Sequence, residues 1–347
     1  MDQKITIDDV AKAAGVSKGL VSLALNDRAG VSAEAKGRIL RAADELGWRP
    51  DPRARGLSTR RAYALGLIVR RSPHVIEVDP FFASFIAGAE AVLAERGQVL
   101  VLSVVPDVRT EVDAYRRLSS ERRVDGFFLT DLLDDDHRIA ALTGLGKPAV
   151  VLGRPDEAAG MPVISRDYSA GISQLVAHLA ELGHRRIAHV TGNTAMQHAR
   201  IRLQHFLAEC ESRGLEAVVE EADFSPEQGA AATRRLLEAP DRPTAVIYGN
   251  DPMAIAGMAV AHERGLSLPG DLSIAGMDGS DMGEWVYPTL TSLDNAPSQW
   301  GSTAADTLLR LIEDGTAPDV ELPDAELIRR ASTAAPARTT SHHSKER

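Results

Sequence analysis

The chain has 347 residues, 44% of them hydrophobic and 25% charged, with a net charge of −10 and one cysteine, Cys210. That length suggests two or three folding units of about 100–200 residues each, and no apolar run reaches the ~18 residues needed to span a bilayer. The polar start Met1-Asp2-Gln3-Lys4 is unlike a signal peptide. A lone cysteine excludes an internal disulfide framework and fits a reducing compartment, so the expected location is the cytoplasm, with no membrane partner.

The charge is unevenly spread. Up to Ala62 there are 12 Lys and Arg against 8 Asp and Glu, a net of +4, which leaves −14 on the remainder. A small basic module on an acidic body is expected.

The first fifty residues read as three short helices. Thr6 is an N-cap with Asp9 three residues on, and Ile7, Val10 and Ala11 form an apolar stripe. Gly15 breaks the pattern where a left-handed turn suits glycine. Ser17 caps a second helix carrying Leu20, Val21, Ala24 and Leu25 at helical spacing. Ser32 caps a third, with Ile39, Leu40, Ala43 and Leu46 expected inward, and Gly47 ends it. This is a helix-turn-helix arrangement.

Pro50, Pro52, Arg53, Arg55, Arg60 and Arg61 then mark a basic linker around Leu57. Beyond it, strands are expected at 65–69, 99–104, 126–129, 149–152, 187–191, 245–248 and 272–275. Amphipathic helices fall between them, including 85–96, 169–182, 226–237 and 253–264. Alternation of this kind predicts open parallel sheets with helices on both faces, and the strand count predicts two similar lobes. Ligands are expected outside the carboxyl ends of such strands. Asp134-Asp135-Asp136 reads as a solvated loop. His178, His184 and His189 straddle a helix end, a glycine turn and a strand, so no metal site is expected there. The pair His342-His343 lies in a tail, 339–347, expected to be disordered.

Ile5-Thr6-Ile7-Asp8-Asp9-Val10-Ala11-Lys12-Ala13-Ala14-Gly15-Val16-Ser17 closely resembles the opening of the LacI/GalR repressor family. The resemblance continues collinearly through Ala43-Asp44-Glu45-Leu46-Gly47-Trp48-Arg49-Pro50, Asp79-Pro80-Phe81-Phe82, Val124-Asp125-Gly126 and Leu182-Gly183-His184-Arg185-Arg186-Ile187. It runs on through Asn250-Asp251, Gly276-Met277-Asp278, Pro288-Thr289-Leu290-Thr291 and Leu327-Ile328-Arg329-Arg330-Ala331-Ser332-Thr333. It implies a small all-α helix-turn-helix headpiece plus an α/β core like the periplasmic sugar-binding proteins, built of two doubly wound parallel-sheet lobes. The implied divisions are a DNA-binding domain at 1–49, a hinge at 50–61 and an effector-binding and dimerisation domain at 62–338. Its N-lobe takes about 62–165 and 296–322, and its C-lobe about 166–294 and 323–338, with crossovers near Ser165, Asp294 and Leu322.

By the same resemblance, Lys18, Gly19 and Leu23 occupy base-reading positions on the second helix, and Thr6, Ser17, Ser22 and Asn26 complete the DNA-facing set. Lys18 can donate to guanine O6 and N7, Gly19 offers no side chain, and Leu23 offers apolar contact to a thymine methyl. In the hinge, Leu57 matches a minor-groove wedge flanked by Arg53, Ala54 and Arg55. Gly56 weakens a hinge helix by roughly 1 kcal/mol relative to alanine, so order off DNA is not expected. Paired hinges imply a homodimer on a palindromic double-stranded operator.

For the effector, Phe82 matches a stacking position and Arg202, Asn250 and Asp278 match hydrogen-bonding ones, while Asp79, Phe81, Arg166 and Trp285 line the same cleft. Such a set suits a hydroxyl-rich ring. Arg166 falls where many relatives carry an acid, and His205 where glycine is common. Arg166 favours an anionic or carboxylate-bearing ligand.

There is no P-loop, nucleophile elbow or His-Glu-x-x-His, so neither an enzyme nor a bound cofactor or metal is expected. A sugar-transport binding protein is disfavoured by the headpiece. A sugar or sugar derivative is the expected effector; a nucleobase or nucleoside on the same scaffold is the alternative, since Phe82 can stack either.

Overall fold

The computed structural model describes residues 5–25, 30–48 and 61–337. The expected roles of Asn26, Arg53, Ala54, Arg55 and Leu57, and the tail 339–347, lie outside the described residues. Internal packing divides the chain between Tyr63 and Ala64.

The first unit contains α1 (Ile7–Ala14), α2 (Lys18–Leu25) and α3 (Ala33–Glu45). The N–H and hydroxyl of Thr6 both donate to Asp9 Oδ2, at 2.8 and 2.7 Å, the reach-back half of a capping box. Gly15 closes α1 at φ +66°, where a β-carbon would be strained. Ser17 Oγ accepts from Leu20 N and Ser32 Oγ from Ala35 N, both at 3.2 Å. Val10, Val21, Ala24, Ile39 and Ala43 form the core. Leu40, expected inward, is instead 46% exposed: Ile39, Ala42 and Ala43 already define the inward stripe of α3, and Leu40 is turned roughly 100° from Ile39.

The second unit holds two six-stranded sheets. The first comprises β1 (Ala64–Arg70), β2 (Val99–Val105), β3 (Gly126–Leu129), β4 (Ala149–Leu152), β5 (Val163–Arg166) and β11 (Val320–Leu322), ordered β11-β5-β4-β3-β1-β2 and all parallel. The second comprises β6 (Arg186–Thr191), β7 (Glu216–Glu221), β8 (Ala245–Tyr248), β9 (Ser273–Gly276), β10 (Thr291–Asp294) and β12 (Glu326–Ile328). Its order is β12-β10-β9-β8-β6-β7, parallel except for β12 against β10. Central strands such as Gly-Phe-Phe-Leu and Ala-Val-Ile-Tyr are buried throughout, as parallel strands covered by helices on both faces require. The chain passes between the sheets after β5, β10 and β11.

Two helices that pack against the first sheet also touch each other. A β-carbon on Gly88 of α5 (Pro80–Glu95) would sit 1.9 Å from Ser298 O, and one on Gly301 of α12 (Pro297–Asp314) 1.9 Å from Phe85 O. Glycine is what lets these backbones touch. α4 (Pro73–Val78) leads from β1 to α5, and further along the chain come α8 (Ser169–Glu181) and α10 (Pro226–Glu238).

The expectation of a solvated Asp134-Asp135-Asp136 loop is corrected at Asp136. It caps α7 (His137–Leu145) and accepts from Arg138 Nε and Nη2 at 2.8 and 2.6 Å. Arg138 also reaches Glu111 of α6 (Val108–Ser120) at 3.1 Å. A buried arginine needs such counter-charge, and Asp136 supplies it. The three histidines go to separate tasks: His178 meets Thr333 Oγ1 at 2.9 Å, His184 meets Thr244 Oγ1 at 2.8 Å, and His189 Nδ1 meets Ile247 O at 3.0 Å. Among the described residues no His, Cys, Asp and Glu group is arranged to hold a metal. None of their helices is long and apolar enough to cross a membrane.

Candidate functional site

In the second unit, a cavity of about 280 Å³ lies where strands of both sheets end. Its wall draws on the carboxyl ends of β1, β3, β4 and β5 from one lobe and of β8 and β9 from the other. α9 (Gln197–Ser212) closes one side. Gln197 clasps the lobes together: its N–H donates to Leu132 O at 2.8 Å, and its Oε1 accepts from Arg154 N at 2.7 Å.

Seven of the eight expected effector residues line this cavity: Asp79, Phe81, Phe82, Arg166, Arg202, Asn250 and Asp278. Asp79 caps α5, accepting from Phe81 N at 3.0 Å. Burial pushes its carboxyl up to about 6, against the pull of the Arg71 charge. Phe82 is both wall and lobe core, with Phe81 edge-on to it at 5.5 Å.

Asn250 caps α11 (Asp251–Glu263), accepting from Met253 N at 3.0 Å and donating to Phe224 O at 2.9 Å. Its side chain is therefore engaged largely with backbone. Asp278 Oδ2 accepts from Asp251 N at 2.7 Å, and Oδ1 accepts no hydrogen bond among the described residues. Burial, then the neighbouring Asp251 and Asp79 charges, push the Asp278 carboxyl well above the ordinary range. The packing is tight enough that a β-carbon on Gly276 would lie 2.0 Å from Asp251 Oδ1.

Trp285 does not reach the cavity. It follows a 3₁₀ turn, Asp281–Glu284. That turn is pinned by Leu290 N donating to Gly283 O at 2.8 Å and by Arg330 on Glu284 at 3.0 Å. The ring is left 82% exposed. The aromatic place at the cavity belongs to Trp300 of α12, with the Arg166 guanidinium 5.9 Å from its ring centre.

Residue patterns also missed Arg71, Asp131, Tyr168 and His198. Arg71 donates to both Asp131 oxygens at 2.7 and 2.8 Å while lying 4.8 Å over the Phe224 ring. Although burial opposes it, this pairing holds Asp131 down to about 2. Burial, then the Arg202 charge, hold His198 down to about 3, so it stacks neutral on Phe224 at 5.4 Å. Arg71 and Asp131 follow shortly after β1 and β3, a position that signals a ligand site. Nothing local marks Trp300 or Tyr168.

In the first unit, Ser17, Lys18 and Gly19 are exposed at the start of α2, while Ser22 and Leu23 are half-buried. Thr6 is exposed ahead of α1, and Lys18 Nζ pairs with Asp8 at 3.0 Å. An exposed pair of this kind is weak, so Lys18 can exchange it for another partner.

A helix-turn-helix unit followed by a two-lobed, parallel-sheet binding core defines a ligand-responsive DNA-binding regulator. Residues 6–51 match the model of bacterial regulatory proteins of the lacI family, and residues 176–333 that of the periplasmic binding protein-like domain. The HTH-type transcriptional regulator CelR of Thermobifida fusca is 32% identical, covering 91% of this chain and 94% of its own length. The HTH-type transcriptional repressor PurR of Photobacterium profundum is 29% identical, covering 89% and 92%. Among solved structures, the CelR–cellobiose complex has a TM-score of 0.72 at 31% identity, covering 95% of this chain and 100% of that one. The lac repressor dimer bound to operator and the anti-inducer ONPF has 0.80 at 26%, covering 96% and 100%. The chain belongs to the lacI family of transcriptional regulators. These relatives are named as regulators and not as enzymes.

Proposed function

We propose that the protein is a cytoplasmic, nucleoid-associated repressor that binds a palindromic double-stranded operator as a homodimer. Its operator affinity is set by a sugar or sugar derivative held in the interlobe cavity. The observation that carries this reading is the cavity itself: Asp278, Asp79 and Arg202 converge beside Phe82 and Trp300. Polar groups satisfy ring hydroxyls and aromatic faces cover apolar C–H surface. The structure of the relative CelR with cellobiose supports a carbohydrate.

On the DNA side, Lys18, Gly19, Ser22 and Leu23 of α2 enter the major groove, with Thr6, Ser17 and Asn26 around them. Leu57, flanked by Arg53, Ala54 and Arg55, wedges the minor groove. The domain divisions are those of the sequence: headpiece 1–49, hinge 50–61 and sensor 62–338. Exposed apolar residues support the dimer. They cluster on edge strand β2 (Val99, Leu102, Val104) and around the 3₁₀ turn (Met282, Trp285, Tyr287), and patches of this kind mark association surfaces. Ligand acts by binding two lobe arrangements unequally, which shifts the population presented to DNA.

The test is fluorescence anisotropy of a labelled palindrome from the adjoining promoter, titrated with protein at several salt concentrations. Tight binding that weakens steeply with salt is expected from phosphate contacts. Binding no tighter than to random DNA would end this reading.

A further inference from the structure

Four arginines line the cavity, and two of them are already matched. Arg71 pairs with Asp131, and Arg154 with Glu321. Arg166 and Arg202 are different. They are 5% and 8% exposed, neither forms an ion pair among the described residues, and the Nε of each has no hydrogen-bond partner. Arg166 makes one long contact, to Gln299 at 3.4 Å, and Arg202 one to Gly249 O at 3.3 Å.

Both guanidiniums lie over aromatic rings, Arg202 at 4.5 Å from the Tyr168 centre and Arg166 beside Trp300. Stacking covers a guanidinium's flat face and leaves its in-plane N–H edge open, the edge that grips oxyanions. Burial, with Arg202 nearby, disfavours the Arg166 charge; Asp294 and Asp324 favour it but do not close a pair. Asp79 and Asp278 feel the Arg202 charge across the cavity but neither forms an ion pair with it. A buried guanidinium whose N–H edge has no hydrogen-bonded partner is unfavourable unless one arrives.

We propose that the effector carries an oxyanion group, a carboxylate or a phosphate, bound by the guanidinium edges of Arg166 and Arg202. The ring bearing that group reaches Asp79 and Asp278, which take its hydroxyls. This defines a sugar acid or sugar phosphate, and it rests on the cavity being the effector site.

The experiment is thermal unfolding and calorimetric titration of the full-length protein. The probes are glucose, galactose, their uronic acids, their 6-phosphates and inorganic phosphate alone. The wild type is compared with Arg166→Gln, Arg166→Lys and Asp278→Asn. At least one uronic acid or 6-phosphate binds about tenfold or more tighter than its neutral parent. That preference largely disappears in Arg166→Gln and is mostly retained in Arg166→Lys. Without ligand, Arg166→Gln melts no lower than wild type, because it removes an unmatched buried charge; a structural arginine would not behave so. Whether the acids or the phosphates respond identifies the oxyanion.

Neutral parents that bind as tightly as their acids overturn the proposal. So does silence from every anion, phosphate at tens of millimolar included, or stabilisation by anions that is unchanged in Arg166→Gln. The cavity reading itself fails by a separate result, ligand stabilisation undiminished in Asp278→Asn.

Discussion

The backbone N–H of Asp251 donates to Asp278 Oδ2 at 2.7 Å, placing two buried acids side by side, Asp278 in the cavity wall and Asp251 behind it. Asp251 is itself a hub: its carboxylate accepts from Ser292 Oγ at 2.6 Å and from Ser280 N and Oγ at 2.8 and 2.7 Å. Ser280 precedes the 3₁₀ turn that carries Met282 and leads into Trp285 and Tyr287. One acid thus faces the cavity, while its neighbour holds the loop with the most exposed aromatics. A ligand that reorganises Asp278 acts directly on the residue anchoring a proposed subunit contact.

The two acids should therefore fail differently. Asp278→Asn keeps an oxygen for the Asp251 N–H, so stability should change by less than about 1 kcal/mol while ligand stabilisation is lost. Asp251→Ala strands several buried donors and should cost about 2–4 kcal/mol. Urea unfolding with and without ligand separates these outcomes, and an Asp251→Ala protein as stable as wild type contradicts the network.

Acid titration provides a second check. Asp79 is raised to about 6 from 3.8, chiefly by burial. A carboxyl whose folded value exceeds its unfolded one binds more protons when folded. Its contribution is full below the unfolded value and is lost as pH rises through about 6. Asp278 adds to the same trend. His189 and His198, held down to about 4 and about 3 by burial, oppose it, so wild type must be compared with Asp79→Asn. Between about pH 4 and pH 7 the advantage of wild type should shrink by on the order of 2 kcal/mol. A difference independent of pH contradicts the assignment.

The α5–α12 contact makes a packing prediction. Gly301→Ala drives a methyl toward Phe85 O, 1.9 Å from where its carbon would sit. The helices must separate, costing about 1–3 kcal/mol and shifting Trp300 and Phe82 in the cavity wall. Ligand affinity should fall with stability, measured on the same protein by calorimetry and urea unfolding. Unchanged ligand affinity would show that this crossing does not position the site.

Much of this is legible in the chain. Caps at Thr6, Ser17 and Ser32 and the left-handed Gly15 mark the headpiece because each is a local signal. Buried runs such as 126–129 and 245–248 mark central strands for the same reason. β5, β11 and β12 are three or four residues long, and β7, Glu-Ala-Val-Val-Glu-Glu, lies on an exposed edge; neither kind presents a continuous apolar run. At the cavity, residues next to a strand end stand out in the sequence and those supplied from afar do not. Trp300 enters on a helix from the other end of the chain, where its spacing reads as ordinary core, and the sequence points to Trp285 in its place. The pairing of Arg71 with Asp131 spans 60 residues, beyond any local pattern.

Subunit contact is testable at the surface aromatics. Trp285 and Tyr287 are 82% and 97% exposed, so Trp285→Glu with Tyr287→Glu should leave the fold intact and convert dimer to monomer in sedimentation velocity. Operator binding should weaken at least about tenfold as paired headpieces are lost. A double variant that stays dimeric moves the interface elsewhere.

Whether the cavity governs the headpiece is decided by operator anisotropy on wild type and Asp278→Asn. The probe is whichever of the uronic acids, 6-phosphates, neutral sugars or adenosine stabilises the wild type. Operator affinity should be equal in the two proteins without the probe, shift about tenfold in wild type when it is added, and not shift in the variant. A probe that stabilises the wild type yet leaves its operator affinity unchanged would show that the cavity does not govern the headpiece.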